Sequence, residues 1–302
     1  MGDSLSAICV GCTNKKNAIP SSFLSQVTLQ VGKQAAVADE WVSRLRRNPK
    51  RHLMAAADLY GGRGVVRAHR LADTLATPLF VISAGLGLVR GDSLVPAYDL
   101  TVAKVPGAIG DRVIGQFSAS SWWDAMLDGP YSAPISALTR GHGRIVIALS
   151  RSYAAMVGPW LATLPSTVRG RLRILGASLD LDLPPSLVPQ WIRHDESLDI
   201  LVPGIKLHYA TRAMEHFLAV CGRLPMADVA ADRARVTEAL GEIPRMMRNP
   251  RRRLDDKVLE PMVAQAMESC GSIARALEHL RKVDGVACSD QRFRTLMQGI
   301  YA

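Results

Sequence analysis

The sequence lacks a disulfide pattern. Its five cysteines, Cys9, Cys12, Cys221, Cys270 and Cys288, are odd in number and scattered over 302 residues, so they point to a reducing compartment rather than to a cross-linked secreted scaffold. Also missing is any apolar run near the roughly 20 residues of a membrane span, and the N-terminus has neither the basic start nor the long apolar core of a signal peptide. The expected location is therefore cytoplasmic, with no membrane partner. Internal repeats and low-complexity tracts are absent. Cys9 and Cys12 form one C-x-x-C without the second pair of a zinc site, and His69, His142, His208 and His216 show no metal-ligand spacing, so neither metal nor cofactor is expected. The glycine-rich stretch at 85–91 is followed by no Gly-Lys-Ser/Thr and makes no convincing dinucleotide fingerprint, which excludes a Walker loop.

What is present is a chain 48% hydrophobic, enough for one large core or one core with a small appended domain. It is also basic, with 37 Lys+Arg against 27 Asp+Glu and a net charge of +10. Nucleic acid most often explains such an excess, a merely basic enzyme being the bland alternative. Clustering favours nucleic acid: "RLRRNPKRH" (residues 44–52) and "RMMRNPRRRLDDK" (residues 245–257) gather arginines beside Asn-Pro turns, where they can reach phosphates without disturbing a core.

Apolar runs alternate with helix-like stretches along the N-terminal half, the pattern of an α/β domain. Strands are expected at "SAICVGC" (residues 6–12), "PLFVISA" (78–84), "RIVIALS" (144–150) and "RLRILGA" (171–177), and helices within residues 25–47 and over 64–75 and 151–164. Three of the strands end at a polar or glycine loop leading toward a helix. In open α/β sheets, ligands bind at those C-terminal strand edges. Beyond residue 200 the spacing of apolar residues becomes helical, giving two expected regions, an α/β domain over 1–200 and a helical region over 201–302. Within the latter, residues 257–269, 272–283 and 289–300 read as three short helices, with Ser272 and Ser289 as N-caps and Gly285 in a turn. They are compatible with a helix-turn-helix whose last helix offers Gln291, Arg292 and Arg294 to DNA, preceded by Arg251, Arg252 and Arg253, and equally with an ordinary helical bundle.

The stretch "FVISAGLGLVRGDSLVPAYDLTV" (residues 80–102) is the most informative. Gly85, Gly87 and Gly91 permit close backbone approaches that side chains block, so a nucleobase or sugar-phosphate can lie against them. Ser83 can hydrogen-bond a ligand or cap its strand. Tyr98 offers a stacking face and Asp99 a carboxylate, although alone such a pair is more often a structural turn. Cys12 closes the first strand and approaches the pocket. Lys15 and Lys16 just beyond it are candidates for phosphate contacts, with a solvated turn as the alternative.

The order "VGCTNKK", "ADLYGGRGVVRAHRLADTL", "FVISAGLGLVRGDSLVPAYDLTV" and "IALSRSYAAMV" resembles a family of bacterial domains of unknown function with the pattern Cys-x-x-Lys-Lys, Leu-Tyr, Ser-Ala-x-x-Gly-Leu and Pro-Tyr-Asp. The Ser-Ala-x-x-Gly-Leu and Tyr-Asp elements also look like the peroxide-stress YaaA family and, more distantly, the glycosylase-like domain of archaeal tRNA-guanine modification enzymes. Matching positions are Cys12, Lys15, Lys16, Tyr60, Ser83, Ala84, Gly87, Leu88, Tyr98 and Asp99, with Ser150 and Tyr153 after the third strand. Two departures stand out: Ala97 intervenes after Pro96, and Gly85-Leu86 replaces a more polar pair. The resemblance implies a uracil-DNA-glycosylase-like sheet flanked by helices. It also implies kinship with DNA glycosylases that remove modified bases, such as glucosylated hydroxymethylcytosine, from phage DNA.

That implication suits the chemistry these residues allow. Cleavage of an N-glycosidic bond builds oxocarbenium-like charge on the sugar, which a carboxylate stabilises, and Asp99 is the candidate. Asn14 can hold the water or the base. A base taken out of the duplex needs a pocket, a stacking partner and cationic backbone contacts, for which Gly85 and Gly87, Tyr98 or Tyr153, and Lys15 and Lys16 are candidates, with Ser150 for a flanking phosphate. Lys15 or Lys16 can in principle attack the sugar as a Schiff-base amine. Trp122 and Trp123 are a candidate wedge but more often core. A non-catalytic DNA-binding role and a tRNA-modification role stand beside the glycosylase, the last without any recognisable RNA-binding module.

Overall fold

A computed structural model of the chain describes residues 4–49, 52–176, 182–242 and 251–300. The fold is α/β: a mixed five-stranded sheet flanked by helices, with a helical C-terminal region. Strands β1 (Leu5–Gly11), β2 (Leu79–Ser83), β3 (Gly87–Arg90), β4 (Arg144–Leu149) and β5 (Leu172–Gly176) lie in the order β3-β2-β1-β4-β5. All neighbours are parallel except β2 and β3, which pair as a hairpin. The near-continuous apolar runs of β1, β2 and β4 are what a parallel sheet covered on both faces requires. The edge strand β3 occupies part of the glycine-rich stretch expected as loop. Gly87, at φ +82°, and the Ser83–Leu86 turn reverse the chain so tightly that the following residues pair back onto β2.

Helices α1 (Gln34–Arg47), α2 (Arg63–Thr74), α3 (Ala119–Leu127), α4 (Arg151–Ala162), α5 (Tyr209–Cys221) and α6 (Val229–Gly241) surround this sheet. Helix α2 carries the chain from β1 to β2 and α4 carries it from β4 to β5. Crossovers between parallel strands are right-handed as a rule, and these two run in opposite directions from the centre, which puts α2 and α4 on opposite faces. Helix α5 packs beside α2 and against β4 and β5, while α1, α3 and α4 pack together. The stretch 25–47 is α-helical only from Gln34, with a single 3-10 turn at Gln26–Thr28 before it. Residues 25–32 instead run along the 99–113 loop, through bridges Ser25–Asp99 and Gly32–Val113 and a hydrogen bond from Thr101 N to Gln26 Oε1.

The chain divides into two compact units, Met1–Pro244 and Arg245–Ala302. The division falls beyond residue 200, where the texture of the sequence changes, because α5 and α6 belong to the sheet's own core: Met214, Phe217 and Leu218 are buried in it, and α6 packs on α5. The second unit has a separate core. Its helices α7 (Asp256–Cys270), α8 (Ile273–Lys282) and α9 (Asp290–Ile300) bury Leu259, Val263, Leu277, Leu280, Phe293 and Leu296. Ser272 and Ser289 cap α8 and α9, accepting from Arg275 N and Arg292 N, and Gly271 and Gly285 take positive φ at the two turns. Lys50 and Arg51 of the first arginine cluster, residues 245–250 of the second, and Ala177 of the expected fourth strand lie outside the described residues.

Candidate active site

The sheet order creates a switch point: β1 leads to β2 on one side, while the next parallel strand, β4, lies on the other. Ligands in such sheets bind outside the carboxyl ends of the strands at that point. There Gly11 and Cys12 leave β1, and Tyr153 opens α4 after β4. The space for Tyr153 exists because Gly11 has no side chain; a Cβ there would come within 3.1 Å of the ring. Cys12 Sγ lies 2.9 Å from Tyr153 Oη and 3.5 Å from Tyr98 Oη. Tyr98 Oη continues to Ser83 Oγ at 2.7 Å and Tyr60 Oη at 3.1 Å; Tyr60 donates to Ser83 at 3.0 Å, and Ser83 also accepts from Leu86 N at 3.0 Å. Burial, reinforced by neighbouring Cys12, raises the pKa of Tyr60, Tyr98 and Tyr153, so the three phenols stay protonated at neutral pH.

Beside this cluster opens a cleft of ≈ 320 Å³ whose lining includes Asn14, Lys16, Tyr98 and Asp99, with Ile19 and Pro20 at its lip. Asp99 is exposed and accepts a hydrogen bond from Ser25 Oγ at 3.1 Å. Its backbone is fixed from both sides, its N–H donating to Leu24 O and its carbonyl accepting from Gln26 N. Lys16 is half-buried, with Nζ 4.2 Å from the centroid of the Tyr98 ring. Burial lowers the pKa of its ammonium, against the opposing pull of Cys12 and Asp99.

The fold brings seven of the sixteen expected site residues together. Asn14, Lys16, Tyr98 and Asp99 share the cleft, and Cys12, Ser83 and Tyr153 join through the hydroxyl cluster. Lys15 is exposed beside them. Gly85 and Gly87 are buried, and the close approaches they permit are to the protein itself: an added Cβ would sit 2.5 Å from the Tyr98 ring at Gly85 and 2.5 Å from Met126 O at Gly87. Trp41 Nε1 donates to Gly85 O and Trp122 Nε1 to Ala84 O, fixing the hairpin turn, and Trp122 and Trp123 are wholly buried. Ser150 is exposed and caps α4, accepting from Tyr153 N. In the second unit, Arg251, Arg252 and Arg253 are exposed; Arg292 is held by Asp256 and Leu254 O, and Arg294 by Asp290. Arg44 of the first arginine cluster is likewise engaged, by Glu40 and Thr28.

Sequence reasoning did not assign Tyr60 a part in the site beyond its place in the motif, nor Ser25. Both act across more than thirty residues of chain, Tyr60 on Tyr98 and Ser25 on Asp99, so no local spacing marks them. No described protein family, characterised protein or solved structure matches the chain.

Proposed function

We propose that this protein is a DNA N-glycosylase that excises a modified nucleobase and leaves an abasic site, with modified phage DNA, glucosylated hydroxymethylcytosine in particular, as the substrate in antiviral defence. The resemblance of the Cys-x-x-Lys-Lys, Ser-Ala-x-x-Gly-Leu and Tyr-Asp elements to glycosylase-like domains suggests the substrate class. One observation supports the chemistry: an exposed carboxylate on a fixed backbone, Asp99, shares a cleft beside the switch point with Asn14 and Lys16. As the glycosidic bond breaks, positive charge grows on the sugar and negative charge on the departing base. Asp99 stabilises the former and aligns water, while the Asn14 amide and the Lys16 ammonium donate to the latter. The net charge of +10 supplies sequence-independent attraction to the duplex.

A second reading, non-catalytic DNA binding of the YaaA kind, is favoured by the aromatic residues. Tyr98 is wholly buried with Lys16 over its ring, so it offers no open face for a flipped base, and Tyr153 is partly buried with its ring packed on Gly11. The two readings separate on DNA carrying plain, hydroxymethylated or glucosylated cytosine, assayed for released base by mass spectrometry. Wild type is expected to release base from one of them, and Asp99→Ala to release none while binding DNA as wild type does. No release from any substrate, with tight binding by both proteins, establishes the binding role instead.

A further inference from the structure

Two adjacent lysines follow β1, and the fold treats them differently. Lys15 points its charge into solvent, whereas Lys16 is half-buried, lines the cleft that holds Asp99, and rests its Nζ on the Tyr98 ring. Its backbone is anchored as well, by a bridge to Tyr60 and by Gly61 N donating to Lys15 O. The ion pairs among the described residues do not include Lys16; Asp99, the carboxylate of its own cleft, is engaged by Ser25. An amine on an apolar floor, held at a fixed place and not neutralised by an ion pair, is the arrangement of a nucleophilic lysine.

We infer that Lys16 is the nucleophile of a second activity in the same cleft, cleavage of the DNA strand at an abasic site through a Schiff base; this rests on reading the cleft as a nucleotide site. The lowering of its pKa by burial enlarges the fraction of free amine that such an attack needs. In the reaction, the Nζ lone pair attacks C1′ of the open-chain abasic aldehyde and one water leaves, giving a protonated imine. The imine withdraws electrons from C2′, whose proton passes to the Asp99 carboxylate. The C2′–H electron pair forms the C2′–C3′ double bond as the C3′–O bond breaks, and the downstream strand departs with its 5′-phosphate. Water then hydrolyses the imine, returning the free amine and leaving an unsaturated aldehyde on the upstream strand. The water lost in the first step is regained in the last, so neither oxidant nor cofactor is consumed.

The test uses the full chain and duplex DNA with a preformed abasic site, so that base excision is not required. Sodium borohydride reduces a Schiff base to a stable amine, giving a covalent protein–DNA adduct visible on a denaturing gel. Wild type is expected to form the adduct and cut the strand; Lys15→Ala, which loses a candidate phosphate contact, is expected to bind abasic DNA more weakly and still to form the adduct at saturating protein. Lys16→Ala and Lys16→Arg are expected to lose both, with Lys16→Arg keeping the cation and therefore DNA binding and thermal stability. An adduct that persists in Lys16→Arg, or that disappears in Lys15→Ala alone, overturns the assignment. Base release by wild type without any trapped adduct on abasic DNA also overturns it while leaving the glycosylase reading intact. An adduct that depends on Lys16, without base release from any modified DNA, upholds it and removes the excision reading instead.

Discussion

Ser83 is the node of the buried hydroxyl cluster: it accepts from Tyr60 Oη and Leu86 N and lies 2.7 Å from Tyr98 Oη. Ser83→Ala removes an oxygen that three groups share, at a site with no exposure. The expected cost is about 1–3 kcal/mol in urea unfolding. Gly85 is the complementary case. Alanine there drives a methyl into the Tyr98 ring, which is fixed by its own hydrogen bonds, so Gly85→Ala is expected to destabilise by about 1–3 kcal/mol, whereas a glycine kept only for ligand approach would tolerate alanine in the folded protein. A denaturation midpoint for each variant distinguishes these outcomes.

Among the elements, α6 is tied to the sheet by charge. Asp232 on α6, itself without exposure, receives Nε and Nη2 of Arg144 at 2.7 and 2.8 Å and Nε of Arg173 at 2.7 Å, from the first residue of β4 and from the second residue of β5. Burial raises the carboxyl's pKa, but the hydrogen bonds and charges of Arg144 and Arg173 prevail and hold it below the ordinary carboxylate range. Asp232→Ala strands two buried guanidinium groups and is expected to cost about 3–5 kcal/mol, readable as a loss of melting temperature. Helix α5 carries a second buried contact. His194 Nδ1 faces the Ile192 carbonyl and can only donate to it, so in the neutral pair His216 Nδ1 donates to His194 Nε2, 3.1 Å away. Burial and the neighbouring His216 push the pKa of His194 down to about 4, and burial lowers that of His216. The unfolded chain takes up these protons near the ordinary histidine value and the folded protein does not. The pair's stabilisation is therefore complete above about pH 6.5 and is lost as the pH falls toward about 4. Between pH 7 and 5, wild type is expected to lose about 2 kcal/mol from His194, and His194→Gln to lose correspondingly less, measured by urea unfolding at both pH values.

For the molecule as a whole, the excess of basic residues makes a prediction that needs no docking geometry. On the proposed DNA-binding role, affinity for DNA measured by fluorescence anisotropy should fall linearly in log–log form with salt, and replacing the exposed Arg251, Arg252 and Arg253 together by alanine should lower both affinity and slope without changing sequence preference. Among the described residues, no helix is long and apolar enough to cross a membrane.

The sequence by itself determined the four parallel strands, because their buried runs are long, apolar and bounded by polar or glycine breaks. It also determined the three C-terminal helices with their serine caps, since capping and helical spacing act over four residues or fewer. The Tyr-Asp pair likewise stood out locally, and the cleft does contain Asp99. Only the tertiary structure decided that β3 is a strand, that the freedom of Gly85 and Gly87 serves packing against Tyr98 and Met126, and that α5 and α6 complete the first unit. It alone separated Lys16 from Lys15, and it brought Tyr60, Ser25 and Asp232 to partners 38, 74 and 88 residues away. Those choices depend on which surfaces meet when the sheet closes, and burial and hydrogen bonding across such separations leave no periodic trace in the order of the residues.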